Sequence, residues 1–152
     1  MSVELLTPAR VLCGSSAHSK NMVLEELARL LVQGAIAVSQ EEVLNGLLAR
    51  ERLGSTGFGH GVAVPHARVA GAYRSRGACL ITREGVDFDA LDNESVDVFF
   101  ALLVPTHHQR EHLEILAQIA GLLSDSDLVS GLRGCRSDEA LFLLLNERLN
   151  QA

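Results

Sequence analysis

Tryptophan is absent from this 152-residue chain, and aromatics reach only 4% of it, so a core has to be built from Leu, Val, Ile and Ala. Lysine is nearly absent as well: Lys20 stands alone among 13 basic residues, against 19 acidic ones and a formal net charge of −6. That balance argues against nucleic acid or an anionic membrane as the main partner. Cysteine is scarce and scattered. Cys13, Cys79 and Cys135 are odd in number, far apart and without a CxxC pair, which speaks against a disulfide framework or a thiolate zinc site and fits reduced thiols in a cytoplasm. No apolar run reaches membrane-spanning length, and the opening MSVELLTPARVL has no basic segment followed by a long apolar one. Neither membrane insertion nor a secretory leader is expected, and the protein should be cytoplasmic.

What remains is an ordinary apolar content of 47% with no repeat, linker or low-complexity tract, so residues 1–152 read as a single domain. ARVLCG suits a first short strand. SKNMVLEELARLLVQ places Met22, Val23, Leu27, Leu30 and Leu31 at helical spacing. SQEEVLNGLLARERLG opens with Ser39 as N-cap and Glu42 three residues on, a capping box, and stops at Gly54. GVAVPHARV and GACLITRE read as strands. VDVFFALLVP is apolar almost throughout, as a strand covered on both faces would be, and Pro105 ends it. HHQREHLEILAQIAGLLSD is a strongly amphipathic helix, SDLVSGLRG a shorter one, and SDEALFLLLNERLN a last one capped by Ser137. Strands mixed with helices around one doubly covered strand predict an α/β fold, a three-layer α/β/α sandwich.

The densest local signal is LGSTGFGHGVAVPHARV, with four glycines in eight residues ahead of a Pro-His pair. A nucleotide loop is the first reading to test. No Gly-Lys-Ser/Thr is present, which removes a P-loop, and a Rossmann turn runs strand, glycines, helix, whereas here a helix precedes and a strand follows. Two readings stay open: a flexible turn, or a backbone nest whose N–H groups approach an anion, with Ser55 and Thr56 adding hydroxyls beside Gly57.

A neutral imidazole at His66 would be a good nucleophile for a labile phosphoryl group, with Pro65 restricting the backbone before it. An isolated histidine at a strand end reads equally well as an ordinary polar residue. Arg50 falls on the flank of the stripe formed by Val43, Leu44, Leu47 and Leu48, where a guanidinium can fork onto phosphoryl oxygens or simply face solvent near a helix C-terminus. His112 lies with Ile115, Leu116, Ile119 and Leu123 on the apolar face of its helix. Near the N-terminus and desolvated, it should stay neutral, either hydrogen-bonding beside a modified imidazole or satisfied by backbone. His108 and His112 have an i,i+4 spacing that zinc sites use, but no HExxH is present, so no metal is assigned.

Taken together, RERLGSTGFGHGVAVPHARV, DFDALDNESVDVFFALLVP and HLEILAQIAGLLSD resemble the type-2 IIA domains of the bacterial phosphoenolpyruvate-dependent phosphotransferase system, most of all their nitrogen-regulatory branch. The likeness runs from the first helix to the last. It implies that His66 accepts a phosphoryl group through Nε2 from the phosphohistidine of an HPr-like carrier. Arg50 would then stabilise the phosphate, with His112 as second active-site histidine and Ser55, Thr56 and Gly57 as a phosphate-binding loop. It also implies a mixed central sheet and no cofactor. Partners would be regulatory targets such as sensor kinases or potassium transport systems or, in a sugar-specific component, a IIB domain. A non-phosphorylated binding module with the same fold is the remaining alternative. The chain departs from the family at Ala67-Arg68, where Gly-Lys is common, and at His60, an extra imidazole in the loop. For the docking of a carrier, the sequence offers Phe58, Val62 and the start of the helix near His107.

Overall fold

The computed structural model describes residues 5–34, 36–107 and 109–151. After a 3-10 turn (Pro8–Arg10) come strand β1 (Val11–Ser15) and helices α1 (Lys20–Leu31) and α2 (Gln40–Arg52). Three short strands follow, β2 (Gly57–Gly59), β3 (Val62–Ala63) and β4 (His66–Arg68), then the long strands β5 (Arg76–Val86) and β6 (Val96–Val104). Helices α3 (Gln109–Leu123), α4 (Ser126–Arg133) and α5 (Asp138–Gln151) complete the described chain.

The local signals act as expected at the helix ends. Ser39 accepts from the Glu42 N–H while the Glu42 carboxylate accepts from the Ser39 N–H, closing the capping box. Ser19 caps α1 through the Met22 N–H, and Ser137 accepts from the Ala140 N–H at the start of α5. Each supplies an acceptor to an N–H that the first helical turn leaves unpaired.

Alternation along β6 organises the layers. Phe99, Ala101 and Leu103 face the core formed with α1 and α2, whereas Val98, Phe100, Leu102 and Val104 face the core formed with α3, α4 and α5. The result is a three-layer α/β/α sandwich around a mixed six-stranded sheet in the order β1-β5-β6-β3-β2, with β4 also on β6. β5 runs antiparallel to β6, while β1 is parallel to β5, and β3 and β4 are parallel to β6.

GVAVPHARV forms two strands rather than one, yet both keep a single register on β6: Val62 lies opposite Val98 and His66 opposite Leu102. Between them Pro65 has no N–H to give, its carbonyl accepts from the Leu102 N–H at 2.9 Å, and the Val64 N–H turns to the Thr56 carbonyl at 3.1 Å. The glycine run is not a loose turn. It is a hairpin, with β2 antiparallel to β3 and a two-residue connection in which His60 (φ 57°) and Gly61 (φ 79°) both have positive φ. No single helix among the described residues is long and apolar enough to cross a membrane.

Candidate functional site

Strand periodicity sends His66 and Arg68 to one side of the sheet and Ala67 to the other. Ala67 packs in the core with α2, whereas its neighbours face α3. On the α2 side a small-residue contact sets the spacing. A Cβ on Gly46 would lie 2.9 Å from the Ala67 Cβ and 3.5 Å from Val69 Cγ2, so the helix approaches β4 as closely as it does because position 46 carries no side chain. One turn later on α2 stands Arg50, and the close approach brings its guanidinium to His66. We expect Gly46→Val to force the two elements apart, costing roughly 1–3 kcal/mol of stability in urea unfolding and withdrawing Arg50 from the imidazole. A variant as stable as the parent would contradict this packing account.

The half-buried ring of His66 is held at both nitrogens. Nδ1 lies 2.9 Å from the Val64 carbonyl, and Arg50 Nε lies 3.2 Å from Nε2. A carbonyl can only accept and a guanidinium can only donate, so Nδ1 carries the proton and Nε2 carries the lone pair. Arg50 is itself steadied by donating from Nη1 to the Gly54 carbonyl at 2.8 Å. Desolvation pushes the His66 pKa below its usual 6.5, opposed by the Val64 hydrogen bond and reinforced by the Arg50 charge. The ring is therefore kept neutral, with one nitrogen available as a nucleophile.

His112 sits on the first turn of α3, 4% exposed, with its ring edge-on to that of His66 at a centroid distance of 5.4 Å. Its Nδ1 accepts from Arg68 Nε at 3.0 Å, and its Nε2 is buried with no partner. Burial, then the Arg68 and His66 charges, push its pKa down to about 4. The native ring thus stays neutral where the unfolded one, near the usual 6.5, takes up a proton. Its contribution to stability is complete above pH 6.5 and is lost progressively as pH falls from there toward about 4. An NMR titration should find the His112 midpoint near 4, and a midpoint above 6 would refute this environment.

The structure brings Arg50, His66 and His112 together and sets beside them Arg68, Glu51 and Gly46, which the sequence had not offered as site residues. The i,i+2 spacing of His66 and Arg68 on a strand was the available signal for Arg68. Ser55 and Thr56 line a cleft of about 240 Å³ with Arg50, His66, Phe58 and Leu116. Their donors are directed elsewhere. Ser55 Oγ donates to the Phe88 carbonyl at 2.8 Å and accepts from the Gly57 N–H at 3.0 Å. Thr56 gives both its N–H and its hydroxyl to the buried carboxylate of Glu51. Lys20 Nζ closes that network 3.0 Å from Glu51 Oε1. In this arrangement Ser55 and Thr56 help to wall the cleft, and the side chains that meet His66 are Arg50 and His112. Val62 is fully buried and takes no part in the surface, whereas Phe58 (39% exposed) and Leu113 (64%) lie open. Among the described residues no group of three His, Cys, Asp or Glu side chains could hold a metal ion. His108, which raised the zinc spacing, lies outside the described residues.

Comparison with known proteins gives concordant matches. The family model described as phosphoenolpyruvate-dependent sugar phosphotransferase system, EIIA 2, matches residues 4–148. A nitrogen regulatory protein of Pseudomonas aeruginosa is 42% identical over 142 residues, covering 93% of this chain and 92% of that protein. A fructose-specific EIIA component of Haloferax volcanii is 30% identical over 129 residues, covering 85% and 84%. The crystal structure of the nitrogen regulatory protein IIA-Ntr from Neisseria meningitidis superposes with a TM-score of 0.87 at 39% identity, over 93% of this chain and 97% of that one.

Proposed function

The chain belongs to the EIIA 2 family of the phosphoenolpyruvate-dependent phosphotransferase system, and on that premise we propose that it is a nitrogen-regulatory phosphocarrier that takes a phosphoryl group on His66 Nε2 from the phosphohistidine of an HPr-like protein. One observation carries this reading. Two hydrogen bonds of opposite polarity hold His66 in the tautomer whose Nε2 lone pair lies in a cleft between a guanidinium and a second imidazole.

Transfer follows from that geometry. The Nε2 lone pair forms a bond to phosphorus as the donor's P–N bond breaks, and the electron pair of the broken bond stays on the donor imidazole. Positive charge developing on the His66 ring is relieved through Nδ1–H on the Val64 carbonyl. Arg50 moves from the nitrogen onto the phosphoryl oxygens, replacing one charge-assisted hydrogen bond with a forked pair. Such chemistry asks for positioning and for donors aimed at spread negative charge. Phe58, which lines the cleft and is 39% exposed, offers the carrier an apolar contact.

The modified ring gains a strongly charged group, which can switch the binding of target proteins such as sensor kinases or potassium transport systems. Identity of 42% to a nitrogen regulatory protein against 30% to a fructose-specific component favours the regulatory branch over transfer to a IIB domain. The test is reconstitution with phosphoenolpyruvate, the first kinase of the relay and an HPr-like carrier, followed by a chase with a fructose-type IIB domain. We expect one acid-labile phosphoryl group per chain and slow discharge to IIB. No labelling by any HPr-like donor would overturn the carrier assignment, and rapid discharge to IIB would move it to the sugar branch.

A further inference from the structure

We propose that Arg68 is a positioning residue that holds His112 in its Nε2–H tautomer, so that this buried donor is kept for an oxygen of the phosphoryl group on His66. The inference rests on the reading of His66 as acceptor but is separable from it. Three facts about the free protein lead to it. Arg68 Nε is 3.0 Å from His112 Nδ1, and because a guanidinium has donors and no acceptor, Nδ1 must be the unprotonated nitrogen. The neutral ring then bears its proton on Nε2. That atom is sealed from solvent and has no hydrogen-bond partner in the protein, a condition that buried N–H groups rarely tolerate.

The missing acceptor has a natural source. The His66 ring lies 5.4 Å away, centroid to centroid, and a phosphoryl group on it would bring three anionic oxygens into the space between the rings. With the tautomer inverted, His112 would turn a lone pair toward those oxygens and repel them. Arg68 acts through His112: β4 carries His66 and Arg68 two residues apart on one side, and His112 on α3 meets both. Its guanidinium lies at the exposed end of this row.

The experiment uses the full chain, labelled with ¹⁵N, and two variants. Imidazole nitrogen shifts and couplings in the unphosphorylated protein should show His112 with protonated Nε2 and bare Nδ1. Arg68→Met should yield mixed tautomers. Arg68→Lys, which also only donates, should restore the parent form, separating hydrogen-bond polarity from general disturbance of the strand. On the phosphorylated proteins, Arg68→Met should shorten the half-life of the phosphohistidine by roughly twofold, because an even mixture of tautomers leaves about half the rings with the donor, with Arg68→Lys recovering most of it. A parent His112 protonated on Nδ1, or an Arg68→Met protein that keeps a pure Nε2–H ring, would overturn the inference. A parent with the expected tautomer that accepts no phosphoryl group would instead defeat the acceptor reading and leave the hold of Arg68 on the ring standing.

Discussion

His66→Ala should carry no acid-labile phosphate after incubation with phosphoenolpyruvate, the first kinase and an HPr-like carrier, under conditions that label the parent fully. No other described imidazole at the site can take over. His112 is 4% exposed and its Nε2 is sealed from solvent, so its ring is not open to a docking donor as the half-buried ring of His66 is. His60 is exposed on the hairpin turn and does not line the cleft that holds His66 and Arg50. Loss of the nucleophile therefore removes the reaction itself. The change should leave the fold intact, because the ring is only half buried. Labelling is read by acid-sensitive incorporation, with circular dichroism confirming a native spectrum. Label retained in His66→Ala would relocate the acceptor.

Arg50→Ala should slow phosphoryl uptake by roughly 10²–10³-fold, the usual consequence of removing one preorganised donor to developing negative charge. Arg50→Lys should recover only part of the rate, since an ammonium restores charge without the fork that spans two oxygens. The variants carry a second signature whose sign is determined. The Arg50 charge is among the causes that depress the His66 pKa, so its removal raises that pKa, and the fall in rate on the acid side sets in at higher pH than in the parent. Rapid-quench measurement of uptake across pH reads both effects. A parent-like rate in Arg50→Ala would remove the guanidinium from the mechanism, and an unmoved acid limb would show that its field does not reach the ring.

How the site came to be readable differs from residue to residue. His66 by itself read equally well as an ordinary polar residue at a strand end. Only the joint resemblance of the glycine run, the Pro-His pair and the later His-Leu segment to a known family pointed to it. His112 was legible as inward-facing because it lies on the apolar stripe of an amphipathic helix. Arg50 was legible as a border residue on α2. The glycine run was legible as a place of unusual backbone, but its role was not. Whether those amides and hydroxyls met an anion or one another depended on Glu51, five residues back from Thr56, and on Phe88, thirty-three residues beyond Ser55. Val62 was offered as a docking residue, and pairing with Val98 buried it.

The sequence by itself determined the helices with their capped ends and the strand covered on both faces. These depend on local spacing and on hydrogen bonds between near neighbours, as between Ser39 and Glu42. Only the tertiary structure decided which nitrogen of His66 is free, which proton His112 keeps, and that Arg68 belongs to the site. A histidine's tautomer is set by the polarity of whatever meets each nitrogen, and here the decisive partners come from residues 16 and 44 positions away. They are brought into range because α2 closes on β4 across Gly46 and Ala67 while α3 covers the opposite face.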